Sequence, residues 1–233
     1  MKKMIVLNHK MSLLYDDLYS YIEKVNNIDT EHDIIICPSS IYLEAFINNS
    51  DWSVGAQNMH YSIDELHTGE ISSNQLKSLG IEYTIVGHYD RVSEFKEGAN
   101  VVNQKLIAAL DSNIIPILCF GEDIDDDYRK VLPELLDGYL KNIGNIEFII
   151  FAYEPIYAIG TGALPNTKKI DEVCKFVSKY LEDKYNRKPI LLYGGSVDSS
   201  NIKNIINVES LDGVVVGNIS SDIKEVERIF KCI

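Results

Sequence analysis

Eight short apolar runs, spaced so that a helix fits after nearly every one, constrain this chain more than any other feature. They are MIVLN (4 to 8), DIIIC (33 to 37), SVGA (53 to 56), YTIVG (83 to 87), IIPILC (114 to 119), FIIFAY (148 to 153), PILLY (189 to 193) and GVVVG (213 to 217). Several are continuously hydrophobic and β-branched instead of alternating, the pattern of parallel strands covered on both faces. Amphipathic stretches fill the gaps, among them 13–25, 100–110, 128–140, 170–181 and 223–230. A doubly wound sheet also alternates β and α. Eight units within 233 residues nevertheless match the (β/α)8 barrel, which typically takes about 250. No Gly/Ser linker or charge block divides the sequence, so residues 1–233 are expected to form a single α/β domain.

In a barrel, function belongs at the C-terminal ends of the strands. Asn8 and Lys10 follow the first run, His88 the fourth, Glu154 the sixth, Gly194, Gly195 and Ser196 the seventh, and Gly217 and Asn218 the eighth. Each has an ordinary reading beside a chemical one. Glu154, ahead of Pro155, either stabilises a helix start or acts as a base whose pKa is raised by apolar strand ends. His88 is either a satisfied core histidine or a neutral imidazole that polarises a carbonyl. Lys10 either lies over an apolar rim or stands beside a developing oxyanion. The glycines of YGGSV (193 to 197) and VGNIS (216 to 220) either make tight turns or let backbone amides approach an anion, a pairing that many barrels place after strands seven and eight. Behind Glu154, Pro155 stiffens the start of a loop and Gly160, Thr161 and Gly162 loosen its end, the construction of a hinged lid.

A formal net charge of −13 argues against a nucleic-acid partner. Positive potential for an anionic substrate must come from a few side chains and helix N-termini. Cys37, Cys119, Cys174 and Cys232 show no C-x-x-C spacing, so neither a disulfide nor a zinc site is expected. No 18-residue apolar run and no signal-like N-terminus is present, so no membrane partner and a cytoplasmic location are expected. Asp123, Asp125, Asp127 and Glu134 fall at EF-hand positions, but Tyr128 stands where the turn needs Gly and Pro133 is expected to interrupt the helix. That run reads as the solvated start of a helix.

Ordered motifs also carry a resemblance. N-x-K-M (Asn8, Lys10, Met11), AQN (56 to 58), TGEIS (68 to 72), VGH (86 to 88), C-x-GE (Cys119 to Glu122), AYEP-x-x-AIGTG (152 to 162), YGGSV (193 to 197) and DG-x-x-VG (212 to 217) together resemble the triosephosphate isomerase family over essentially the whole chain. The resemblance implies a TIM barrel that interconverts a phosphorylated ketose and aldose through a cis-enediolate. Glu154 would carry the proton and neutral His88 would hydrogen-bond the oxygens; the family is a standing example of pKa tuning, and this assignment is carried over from it. Lys10, oriented by Asn8 and facing the carboxylate of Asp90, would stabilise negative charge. The backbone around Gly160, Gly195, Ser196, Gly217 and Asn218 would hold the phosphate under the closing loop. No cofactor and no metal is implied, and Thr68 resembles a contact of a homodimer.

The chain departs from the family pattern at several places. Tyr89, Asp90, Arg91 and Val92 stand where Ser-Glu-Arg-Arg is usual; Tyr157 replaces a Trp, Ala163 a Lys and Asn218 a Gly. Asp90, one methylene short, is expected to withdraw from Lys10, and bulky Tyr89 could reshape the pocket for a four-carbon substrate such as a tetrulose phosphate. A catalytically weak barrel that binds phosphate or a partner protein is the remaining alternative.

Overall fold

Each apolar run becomes a strand in the computed structural model, which describes residues 2–62, 66–161 and 165–233. The strands are β1 (Met4–Asn8), β2 (Asp33–Cys37), β3 (Ser53–Ala56), β4 (Tyr83–Val86), β5 (Ile115–Phe120), β6 (Ile150–Tyr153), β7 (Ile190–Tyr193) and β8 (Gly213–Val216). They pair in parallel in chain order, and β8 closes on β1 from Met4 beside Gly213 to Leu7 beside Val216. The protein is a closed eight-stranded TIM barrel.

Continuous hydrophobicity follows from two separate cores. Val6, Ile35, Ile85, Ile117, Ile150, Leu192 and Val215 fill the barrel interior with Cys37, Cys119 and Ala152. The alternate residues, such as Ile5, Leu7, Ile36, Val86, Phe151, Tyr153, Tyr193 and Val216, face outward into a second core beneath the helices. Those helices are α1 (Tyr15–Asn26), α2 (Leu43–Asn49), α3 (Ser73–Leu79), α4 (Tyr89–Glu94), α5 (Ala99–Asp111), α6 (Tyr128–Tyr139), α7 (Thr167–Tyr185), α8 (Ile202–Ile206) and α9 (Ile223–Cys232). Two helices follow β4, where the simple β-α order predicts one.

α7 extends past the predicted 170–181 at both ends. Asn166 caps its start by accepting from the Lys169 amide, and Asn186 ends it in the left-handed region at φ 51°. Pro133 does not interrupt α6 as expected but lies inside it. The carbonyl it leaves without a donor belongs to exposed Arg129 in the first turn, where water can serve it. Asp127 caps the same helix by accepting from the Arg129 amide, and Asp123 Oδ1 accepts from the Ile124 amide at 2.7 Å, so two of the four residues at EF-hand positions hold backbone instead. Among the described residues no helix is long and apolar enough to cross a membrane.

Candidate active site

Strand parity explains most of the site. Val6 faces the barrel interior, so Asn8 faces its mouth; Ala152 sets Glu154 there in the same way, and Leu192 sets Gly194. Lys10 lines the same cleft from a left-handed backbone, with φ at 50°, just past the end of β1. That left-handed backbone costs on the order of 1–2 kcal/mol for a side-chain-bearing residue. Two hydrogen bonds to its carbonyl hold it, from Ser39 Oγ at 2.8 Å and from Gln57 Nε2 at 2.7 Å, while its amide donates to Asn8 Oδ1 at 3.2 Å. At about 1 kcal/mol net each, two such bonds are enough to offset the strain. Gln57 also donates to the Cys37 carbonyl at 2.9 Å, which ties this turn to the end of β2.

His88 breaks the parity rule. Ile85 points inward and Val86 outward, so a regular extended chain would aim residue 88 at the helices. Gly87 sits at φ +74° and turns the strand end, so His88 lines the cleft instead. Its Nδ1 accepts the Asp90 amide at 3.1 Å, so Nδ1 carries no proton and the ring hydrogen of the neutral imidazole is on Nε2. Nε2 lies 3.8 Å from Glu154 Oε2, beyond hydrogen-bond range. The Asp90 carboxylate meanwhile accepts from Lys10 Nζ at 2.9 Å. One residue thus orients two others, His88 through its backbone and Lys10 through its side chain. The expected withdrawal of the shorter Asp does not occur, so lengthening it to Glu has no missing contact to restore.

Glu154 is 4% exposed, and its Oε2 has no partner among the described residues. Burial raises its pKa above the ordinary carboxylate range, opposed by His88, the adjacent Cys119 thiol and Lys10. A carboxylate so placed is a stronger base than one in water. Its neighbour Gly194 leaves no spare room: a Cβ there would stand 2.7 Å from Oε1 and 2.8 Å from Cγ of Glu154. Gly194→Ala must therefore displace the carboxylate. Because a shift of about 1 Å can cost roughly a hundredfold, kcat for this variant is expected to fall by about that factor while inorganic phosphate still binds. Steady-state kinetics with phosphate titration checks this, and a kcat within about threefold of wild type rejects the steric role.

These groups share a cleft of about 250 Å3 with Gly160, Ser196, Gly217 and Asn218. Asn218–Ser221 forms a 3₁₀ turn after β8, and the first amides of such a turn have no acceptor within it. Gly217, Asn218 and Ile219 line the cleft, where such amides are available to an anion. Gly195 does not line the cleft; it is buried against the Tyr193 hydroxyl and Ala158. Ser196 Oγ donates to the Ala158 carbonyl at 2.5 Å, which joins this loop to the 3₁₀ turn Ile156–Ala158 that begins the expected lid. Gly162 and Ala163, in the rest of that lid, lie outside the described residues. Tyr89 lines a smaller cavity of about 100 Å3 with Cys119, Leu135 and Tyr139 that adjoins the cleft at Glu154, which lines both. Thr68 is exposed on the segment after β3.

The sequence assigned no role to Ser39, Gln57 or Gly87, and read Gly194 as a loop glycine open to an anion rather than as the neighbour that leaves room for the Glu154 carboxylate. Gln57 stands within the AQN motif, which marked its place but not its two carbonyl partners. The family model described as triosephosphate isomerase matches residues 3–233. A relative from Wolbachia sp. subsp. Brugia malayi is 36% identical over 98% of this chain and 97% of its own length. One from Finegoldia magna is 33% identical over 98% and 97%, and one from Clostridium botulinum (strain Okra / Type B1) is 32% identical over 95% and 96%. All three carry the name triosephosphate isomerase. With that match along its length and a barrel mouth that gathers a buried carboxylate, an imidazole and an ammonium, this chain belongs to the triosephosphate isomerase family.

Proposed function

We infer that the protein is a triosephosphate isomerase, interconverting dihydroxyacetone phosphate and glyceraldehyde 3-phosphate in glycolysis and gluconeogenesis. The observation that carries this reading is the convergence of Glu154, His88 Nε2 and Lys10 on one cleft whose far wall is the turn after β8. Glu154 removes a proton from C1 of the ketose, and the electron pair moves toward the carbonyl oxygen to form the enediolate. The His88 Nε2–H donates to the substrate oxygens in turn, and Lys10 balances their negative charge. Glu154 then returns the proton to C2 while the O1 hydroxyl proton passes to O2 by way of His88 Nε2, which gives the aldose and restores the neutral imidazole. The substrate's atoms and overall oxidation state are unchanged, so the chemistry itself calls for no redox cofactor.

Gly217, Asn218, Gly160 and Ser196 surround the phosphate in this reading, and the segment from Pro155 onward closes over it and excludes water. Gly195 supports that segment from behind. Tyr89 lines the adjoining small cavity and not the cleft that takes the substrate, which supports a three-carbon substrate over a tetrulose phosphate. We also read the protein as a homodimer formed through the Thr68 segment; Met11, beside Lys10, is 92% exposed and Leu66 is 81% exposed, apolar surface that a second copy would cover. Four free thiols suit a reducing cytoplasm.

A spectrophotometric isomerase assay with three- and four-carbon sugar phosphates tests the reading. The highest kcat/KM is expected on the triose phosphates. Faster turnover of the four-carbon substrate, or phosphate binding without turnover, would overturn it.

A further inference from the structure

His9 stands between Asn8 and Lys10 yet faces the opposite way, outward from the barrel, and is fully buried. Its ring meets Tyr21 of α1 edge-on at 4.8 Å and Phe46 of α2 at 5.7 Å. The Tyr21 hydroxyl has one proton and donates it to the Ser220 carbonyl at 2.7 Å. Toward His9 Nε2, 3.0 Å away, it can therefore only accept, which places the imidazole hydrogen on Nε2. His9 Nδ1 is then a bare acceptor with no partner among the described residues. Burial holds His9 near a pKa of about 3, so this ring is neutral at every working pH. An unpaired buried polar atom costs about 1–3 kcal/mol, a penalty that an apolar ring filling the same space would avoid. Space-filling alone does not account for a histidine here; its Nε2–H does.

The two hydrogen bonds span a gap in the barrel. Ladder pairing between β1 and β8 ends at Leu7 and Val216. Beyond it, Lys10 lies on one chain and the Asn218–Ser221 turn on the other, with the substrate between them in the proposed reaction. The chain from His9 through Tyr21 to the Ser220 carbonyl continues the β1–β8 connection behind the cleft wall, using side chains where backbone pairing has stopped.

We propose that His9 and Tyr21 are positioning residues that fix the separation between Lys10 and the phosphate-holding turn. This rests on the reading that the turn after β8 binds phosphate. Tyr21→Phe keeps the ring and removes both hydrogen bonds. With the turn freed, KM for triose phosphate and Kd for inorganic phosphate are each expected to rise about five- to tenfold, with a smaller fall in kcat from Lys10. His9→Phe should give the same pattern, and the double variant should be little worse than either single one, because both break one chain. His9→Gln, which retains an amide donor, should recover part of the loss.

Thermal unfolding followed by circular dichroism identifies the variants that are folded at the assay temperature. A lower Tm with KM and phosphate Kd unchanged shows that the chain is merely structural and overturns the proposal. If Tyr21→Phe does not fold, His9→Phe decides by the same criteria. The phosphate titration also separates the two claims. Loss of affinity in the variants supports the chain even if the wild-type protein turns over no triose phosphate, whereas unchanged affinity in an active enzyme removes the chain and leaves the isomerase reading intact.

Discussion

Glu154→Gln is expected to lower kcat by about a thousandfold or more, near the upper end of what general base catalysis supplies, with KM changed far less. The amide preserves shape beside Gly194 and Cys119 but cannot take a proton. The same substitution should stabilise the fold at neutral pH. Because burial raises the folded pKa of Glu154, the folded protein binds this proton more tightly than the unfolded chain does. The group's contribution to stability is therefore fully present below the unfolded value of about 4.3 and is lost as pH rises through the folded value. Gln has no such loss. Melting curves at several pH values should show the variant above wild type at pH 7 to 8 and the difference shrinking in acid, while wild-type kcat/KM falls as the buried carboxylate becomes protonated. Retention of most isomerase activity would end the assignment of Glu154 as base, and a Tm difference independent of pH would end the burial argument.

The barrel was legible because its signal is local and repeated: each strand is an unbroken apolar run whose two faces are buried for different reasons. Glu154, Asn8 and Gly217 were legible as well, since each lies two residues beyond an inward-facing core residue. Long-range contacts were not. His88 needed Gly87 at positive φ to face the cleft, and a reading by alternation alone sends it outward. Asp90 was expected to fall short of Lys10 by side-chain length, but the left-handed turn at Lys10 and the helix start at Tyr89 close that distance to 2.9 Å. Backbone geometry outweighed one methylene. Gln57, Tyr21 and Gly194 act through partners 12 to 199 positions away, such as His9 and the Cys37 and Ser220 carbonyls, and no spacing within a single motif encodes those pairs. Gly195, read from the sequence as part of the phosphate-holding backbone, leaves no room for a side chain against Tyr193 and Ala158, a constraint that its place beside a loop does not reveal.

Lys10→Met should lower kcat/KM by roughly a hundred- to a thousandfold, the range typical of removing one group that stabilises a developing oxyanion. A chain of net charge −13 offers a dianionic substrate no general attraction, so the local field of this ammonium has to overcome the surrounding one. Met keeps much of the side chain's length and apolar body, which separates loss of charge from loss of packing. The Lys10 and Asp90 side chains are 29% and 40% exposed, so their ion pair adds at most about 1 kcal/mol to stability and Tm should move little. Function should suffer doubly. Without Lys10, the Asp90 carboxylate remains unpaired beside His88, 3.6 Å from Nδ1, and its negative charge opposes the enediolate. Adding Asp90→Asn to Lys10→Met is therefore expected to recover part of the lost kcat/KM, even though Asp90→Asn alone weakens the enzyme by leaving Lys10 less firmly aimed. That reversal of sign is the diagnostic outcome. Kinetics of the four proteins at low and at physiological ionic strength supply the measurement, with the deficit of Lys10→Met expected to narrow as salt screens the repulsion from Asp90. A loss below about tenfold would remove Lys10 from the chemistry, and a double variant worse than Lys10→Met would show that the Asp90 carboxylate serves the site by a route other than Lys10.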